Sequence, residues 1–245
     1  MERKKTKVGI LGYGEVGQAI AKFYTSCKIK DLNRDDGFEG IEILHICLPY
    51  MKNFVEIVRK EIKAANPRLV IIHSTTAPGT TKAAAKGLRA MVVHSPIRGM
   101  HPGLYEGVKT FVKYIGADNK KAGKEAEKHL RGLGIKTKLF SSSVTTEMGK
   151  LLDTTYYGLC IAWHGEMKKM CDKVGANFEE AVVDFNQTYN EGYSKLGKKN
   201  VIRPVLYAPK EGIAGHCIIP NAEILKENFQ SQALDLVLRY RAKNK

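Results

Sequence analysis

The stretch Lys7-Val8-Gly9-Ile10-Leu11-Gly12-Tyr13-Gly14-Glu15-Val16-Gly17 decides how the first half of this chain folds. Its opening residues are apolar and β-branched and run into a glycine cluster, after which Val16–Tyr24 carries apolar residues at helical spacing. Strand, tight turn and helix follow in that order. In a G-x-G-x-x-G turn at such a junction the first glycine makes the bend. The second lets the backbone approach a pyrophosphate, and the third allows close helix–strand packing, with the free N–H groups of the helix facing the phosphates. Asp31 follows Gly12 at roughly the 20-residue spacing expected of an acid that accepts hydrogen bonds from ribose hydroxyls. Gly12, Tyr13, Gly14, Glu15, Val16, Gly17 and Asp31 are therefore the candidate cofactor-binding residues. An aspartate repels a 2′-phosphate and so favours NAD over NADP, with Lys30 and Arg34 acting in the opposite sense. S-adenosylmethionine would use the same loop and the same acid and stands as the alternative ligand. A purely structural turn, and an ordinary surface carboxylate at Asp31, are the competing readings.

Outward from this stretch, strands are expected at Lys28–Leu32, Glu42–Pro49, Leu69–His73, Met91–His94, Phe111–Gly116 and Lys136–Phe140, alternating with helices at Asn53–Ala65, Thr80–Leu88 and Lys120–Leu133. The Glu42–Pro49 run is too continuously apolar for a half-exposed strand, so its sheet is expected to be covered on both faces. The fold class is α/β: a doubly wound parallel sheet of Rossmann type over residues 1–141. Beyond Ser141-Ser142-Ser143 the pattern changes. Met148, Leu151, Leu152, Tyr156, Leu159, Trp163, Met167, Met170 and Val174 keep helical spacing from Thr145 to Val174, about eight turns. One long helix is expected there, with Ser143 as its N-cap and Glu147 reaching back to it. Further helices are expected at Phe178–Tyr193 and about Ala222–Tyr240, giving an all-helical part over residues 142–245.

Composition narrows the class of protein. A chain of 245 residues with 43% hydrophobic and 27% charged content folds as one large or two modest soluble domains. Its longest apolar stretches fall short of the ~20 residues that span a bilayer, and a strand pattern follows the basic N-terminus directly, so no membrane span and no secretion signal are expected. Five cysteines, an odd number without a C-x-x-C pair, argue against a disulfide framework and a zinc ribbon, and fit a reducing cytoplasm. The formal charge of +15 favours anionic ligands. The lysines are scattered and no recognition motif accompanies them, so a solvated basic surface is the favoured reading and nucleic acid is not expected. His45, His73, His94 and His101 lack metal-ligand spacing and read as strand-end or core histidines. Tyr156-Tyr157 and Trp163 read as core or dimer contacts.

Four further segments resemble the UDP-glucose/GDP-mannose dehydrogenase family, over roughly Val8 to Asn221. Ile72-His73-Ser74-Thr75-Thr76-Ala77-Pro78-Gly79-Thr80-Thr81 is similar to the family's S-T-x-x-P-G-T-T, and Ser95-Pro96-Ile97-Arg98 to its S-P-E. Glu147-Met148-Gly149-Lys150-Leu151 lies where the family carries a catalytic lysine. Gly212-Ile213-Ala214-Gly215-His216-Cys217-Ile218 resembles the glycine-rich loop with its catalytic cysteine. The resemblance implies a nicotinamide cofactor, NAD, held with help from Leu48, Pro49 and Thr75. It also implies oxidation of a phosphorylated or nucleotide-linked alcohol, and a homodimer formed through the long helix. Cys217 would trap the intermediate aldehyde and Lys150 would stabilise the oxyanion; a small buried side chain and a solvated helix lysine are the plainer readings. Three positions depart from the pattern. Ile97 stands for the family's glutamate, Thr154 for an asparagine and Asn221 for an aspartate. With the sequence ending at Lys245, the family's C-terminal domain is expected to be missing. A methyltransferase or other transferase on the same scaffold, and a non-catalytic nucleotide-binding module, are the alternatives.

Overall fold

The computed structural model describes residues 7–215 and 217–242. The chain divides into two compact units, Met1–Lys150 and Leu151–Lys245. In the first, strands β1 (Val8–Leu11), β2 (Lys28–Asp31), β3 (Arg34–Asp35), β4 (Ile43–Ile46), β5 (Leu69–Ile72), β6 (Met91–His94), β7 (Lys113–Gly116) and β8 (Thr137–Phe140) form one sheet in the order β3-β2-β1-β4-β5-β6-β7-β8. Helices α1 (Glu15–Ala21), α2 (Phe54–Ala65), α3 (Thr80–Ala85), α4 (Leu104–Thr110) and α5 (Lys120–Gly132) connect them. This is the α/β Rossmann arrangement expected from the alternation of patterns.

Each helix is placed by the side chains it must bury. On one face of the sheet Ile10, Ile43, Ile71, Val93 and Ile115 pack with Ala19 and Ile20 of α1, Leu104 and Val108 of α4, and Ala126 and Leu130 of α5. On the other, Leu44, Ile46, Val70 and Ile72 pack with Phe54, Val58 and Ile62 of α2 and Ala84 of α3. All four residues of β4 are buried, as its unbroken apolar pattern requires. Local signals set the helix ends: the Asn119 side chain accepts from Lys121 N (2.8 Å) and Ala122 N (3.1 Å) to start α5, and Asn66 ends α2 in the left-handed conformation.

The structure corrects several expectations. The sheet is not wholly parallel, because β3 pairs antiparallel with β2 and β7 antiparallel with β6. The β6–β7 connection carries α4, which the sequence reading left without an element, and β7 enters the sheet in the opposite sense, with Gly116 opposite His94. The long helix α6 runs Ser143–Val174, but the expected capping box is not formed. The Ser143 hydroxyl donates to Asp118 (2.6 Å), and the Glu147 carboxylate turns away to backbone amides of another loop. The Phe178–Tyr193 segment is a π-helical turn, Glu179–Asp184, leading into α7 (Phe185–Lys195). The single last helix expected near Ala222–Tyr240 is two, α8 (Ile218–Lys226) and α9 (Gln232–Arg239), because Ser231 takes extended backbone as an N-cap. Tyr156, Tyr157 and Trp163 are exposed, so they are not core.

Small residues let the second unit's elements approach α6. A Cβ on Gly158 would stand 2.3 Å from Ile218 of α8, and one on Gly165 would stand 2.2 Å from the Tyr240 ring. Beneath the helix end Cys171 packs with Phe178, Val182 and Val183. In the first unit Phe54 is the largest wholly buried side chain, at 1% exposure. Phe54→Ala should cost about 3–5 kcal/mol through lost burial and the cavity left behind, read as a lowered urea midpoint with an unchanged m-value.

Candidate functional site

The turn between β1 and α1 shows three glycines needed for three different reasons. Gly12 has φ +91°, and a Cβ there would stand 2.8 Å from the carbonyl carbon and oxygen of Cys47, at the end of β4. Gly17 lies so close to the turn that its Cβ would come 2.0 Å from the Gly12 oxygen. Among the described residues no atom lies within 4 Å of where a Cβ on Gly14 would be, so its backbone faces open space that a phosphate can enter. Gly12 N donates to Lys30 O (2.9 Å), which ties the turn to β2. At the end of β2 the Asp31 carboxylate accepts from Tyr13 N and from Leu32 N. A carboxylate offers about four lone-pair sites, so capacity for ribose hydroxyls is left. Arg34 is directed to Asp36, with Nη2 to Oδ2 at 2.8 Å, and lies over the Tyr13 ring. Glu15, exposed at the start of α1, pairs with His101.

The other strand ends lie in register with this turn. Leu48 and Pro49 follow β4, and Ser74 Oγ donates to Leu48 O (2.6 Å), which places half-exposed Thr75 at the neighbouring strand end. Farther along that loop Gly79 N (2.6 Å), Thr81 N (2.8 Å) and Thr81 Oγ1 (2.7 Å) all donate to Glu147, whose side chain is wholly buried in the first turns of α6. Glu147 thereby ties the S-T-T-A-P-G-T-T loop to the helix that carries Lys150. Close packing reinforces this: a Cβ on Gly116 would stand 2.2 Å from Thr146 Oγ1, and His94 Nδ1 meets that hydroxyl at 2.8 Å. Lys150 is half-buried, and its charge is felt by Lys113, a second lysine that the sequence reading did not single out. Burial pushes the Lys113 amine down to about 7, and Nζ donates to the carbonyls of Ser95 (2.8 Å) and Pro96 (3.2 Å). Its signal was available, since Lys113 interrupts an otherwise apolar strand pattern. Glu147 had no such signal, because its partners lie 66 and 68 positions away.

In the second unit, half-buried Cys217 stands immediately before α8, where the free N–H groups of a helix start favour negative charge. His216 lies outside the described residues. Asn221, four positions on, is buried, and its Nδ2 has no partner among the described residues. In the first unit Ile97 is buried and apolar where the family motif carries an acid. The turn residues Gly12–Gly17, Asp31, Leu48, Pro49, Thr75 and Lys150 belong to one unit and Cys217 to the other.

Known proteins match this chain along most of its length. It is 29% identical over 190 residues to a UDP-N-acetyl-D-mannosamine dehydrogenase of Methanococcus maripaludis, a match covering 76% of this chain and 40% of that protein. It is 26% identical over 236 residues to one of Pyrococcus horikoshii, covering 87% and 53%. The chain resembles the UDP-sugar dehydrogenases. It spans about half the length of these curated relatives, and no family model matches it. Among solved structures, the UDP-D-ManNAc dehydrogenase of P. horikoshii superposes with a TM-score of 0.78 at 21% identity, covering 96% of this chain and 68% of that one. A UDP-glucose dehydrogenase of Pyrobaculum islandicum gives 0.72 at 16%, covering 98% and 68%. These likenesses show the fold. Among the described residues no helix is long and apolar enough to cross a membrane.

The three glycines give a graded test. Gly12→Ala and Gly17→Ala should lower the melting temperature, since each puts a methyl group against backbone. Gly14→Ala should leave stability within about 1 kcal/mol, because its φ of −67° and open surroundings suit alanine, while weakening dinucleotide binding at least tenfold by calorimetry.

Proposed function

We propose that this chain is an NAD-dependent oxidoreductase acting on a nucleotide-linked sugar or a similar phosphorylated, anionic substrate. The observation that carries the reading is the open backbone at Gly14 with the Asp31 carboxylate folded over the same turn. Together they fit a pyrophosphate and a ribose. The dehydrogenase names of the relatives support hydride transfer over the transferase alternative. The five cysteines are all free, which suits a reducing cytoplasm.

Bound NAD would supply the hydride acceptor. Gly12, Tyr13, Gly14, Glu15, Val16 and Gly17 would hold its pyrophosphate, Asp31 its adenosine ribose, and Leu48, Pro49 and Thr75 would contribute from the neighbouring strand ends. Lys150 would place positive charge near the substrate oxygen, where it would stabilise the alkoxide that forms when the hydroxyl gives up its proton before hydride transfer. Cys217, at a helix start, is the nucleophile for an aldehyde. Neither Ile97 nor Asn221 offers a carboxylate to activate water, so the residues present equip hydride transfer better than thioester hydrolysis. Lys150→Met should lower kcat/KM on the UDP-sugar that is turned over by about a hundredfold, while Cys217→Ser should still release aldehyde. Activity unchanged in both variants would remove these two residues from the mechanism.

The reading includes a homodimer. Leu152, Tyr156, Trp163, Met170 and Val174 of α6 are between 47% and 77% exposed, and at 3.6 residues per turn they fall within an arc of about 40°. So narrow an apolar stripe on one helix matches the same stripe on a second copy. Analytical ultracentrifugation should find a dimer that Tyr156→Glu with Trp163→Glu dissociates; a monomeric wild type at micromolar concentration would contradict it.

A further inference from the structure

Across the sheet face that carries α1 and α5 runs a line of hydrogen-bonded polar side chains. His129 of α5 meets Tyr24 Oη through Nε2 (2.7 Å), and Tyr24 Oη meets His45 Nε2 of β4 (2.8 Å). His45 Nδ1 meets His73 Nε2 just beyond β5 (2.8 Å), and His73 Nδ1 meets the Ser95 carbonyl just beyond β6 (2.9 Å). Lys113 of β7 closes the line from the far side on that same oxygen. His45 and His73 are wholly buried; His129 is the end nearest the surface.

The end of the line dictates every proton in it. A carbonyl only accepts, so His73 Nδ1 carries hydrogen; its Nε2, in the neutral ring, is then an acceptor. His45 must therefore donate from Nδ1 and accept at Nε2. Tyr24 donates to that nitrogen and accepts from His129 Nε2–H. All four bonds point one way, toward Ser95, whose two lone pairs are taken by His73 and Lys113. A proton added to either inner ring finds a hydrogen already pointing at the free nitrogen, and it creates a cation with no carboxylate in the line. The cations that act on the line are Lys113, on His45 and His73, and Arg68, on His129, where Arg68 is itself paired with Glu42 and Glu125; both oppose a further positive charge. Burial, then these neighbours, hold His45 and His73 well below the usual imidazole range and His129 at about 4.

We propose that this line is an acid-sensitive lock: while its imidazoles are neutral it clamps the Ser95–Pro96 segment beside the candidate site, and uptake of a proton releases that segment. The lock stands apart from the nature of the reaction, since it is built on the segment's backbone. The sign follows from linkage. The folded rings bind protons more weakly than the unfolded ones, so folding stability is intact above about pH 6.5 and is lost as pH falls toward about 4. Each excluded proton makes the unfolding constant rise about tenfold per pH unit in that window.

Imidazole 15N shifts of the labelled chain from pH 8 to pH 5 test the bond polarity. His45 and His73 should both be neutral Nδ1–H tautomers throughout. An Nε2–H tautomer at either ring, or a midpoint near 6.5, would overturn the proposal. Two variants test the clamp. His73→Asn keeps a donor at the Nδ1 position toward Ser95 O and cannot titrate. His129→Gln keeps the donor to Tyr24 at the less buried end, where folding is easily tolerated. In urea unfolding between pH 6 and pH 5 each should reduce the pH dependence of the unfolding constant by about tenfold per pH unit relative to wild type. Amide exchange at Ile97, whose N–H bonds His73 O (3.4 Å), should speed up at least tenfold in the wild type before global unfolding. Unchanged slopes in both variants, or Ile97 protection that persists to the global transition, would contradict the lock.

Discussion

Gly17 has no room for a side chain, since the first atom of one would stand 2.0 Å from the Gly12 oxygen. That contact lets α1 begin against the end of β1, and much else in the first unit depends on it. With the helix so placed, Tyr13 N reaches the Asp31 carboxylate and Gly14 is left facing open space. The turn also bears on β4, because Gly12 packs against the backbone of Cys47. A single close approach thus aligns three strand ends and creates the surface a pyrophosphate needs.

The rest of the first unit's candidate site is built by long-range ties that substitute for a local scaffold. Glu147 accepts three hydrogen bonds from the loop after β5, and Ser74 joins that loop to Leu48 after β4. Ser143 and Thr146 dock the start of α6 on Asp118 and His94. Ser74, His94, Ser143, Thr146 and Glu147 are buried, and each finds its partner, which is what makes such burial tolerable. Lys113 is the exception in kind. It is an amine with only carbonyl partners, and it is held near neutrality by burial.

What could be read from sequence divides along the same line. The glycine turn was legible because its geometry is local: glycine spacing, a strand before it and a helix after it. The buried strands were legible from unbroken apolar runs such as that of β4. Strand direction at β7 was not, because a short apolar run carries no sense of orientation and the connection through α4 decides it. The role of Glu147 was misread as a cap, since the local capping rule competes with amides more than sixty residues away. The break between α8 and α9 was missed because helical apolar spacing continues across Ser231, whose extended backbone interrupts it. The histidine line was legible only as buried rings at strand ends; its order arises from strand adjacency, which brings β4, β5, β6 and β7 side by side.

We propose that the turn at Gly12–Gly17, with Asp31, holds a nicotinamide dinucleotide. Isothermal titration of the purified chain with NAD, NADP and S-adenosylmethionine tests it most directly. NAD should bind at least tenfold more tightly than NADP, with no competition by S-adenosylmethionine. Heat on titration with S-adenosylmethionine and none with NAD would contradict it.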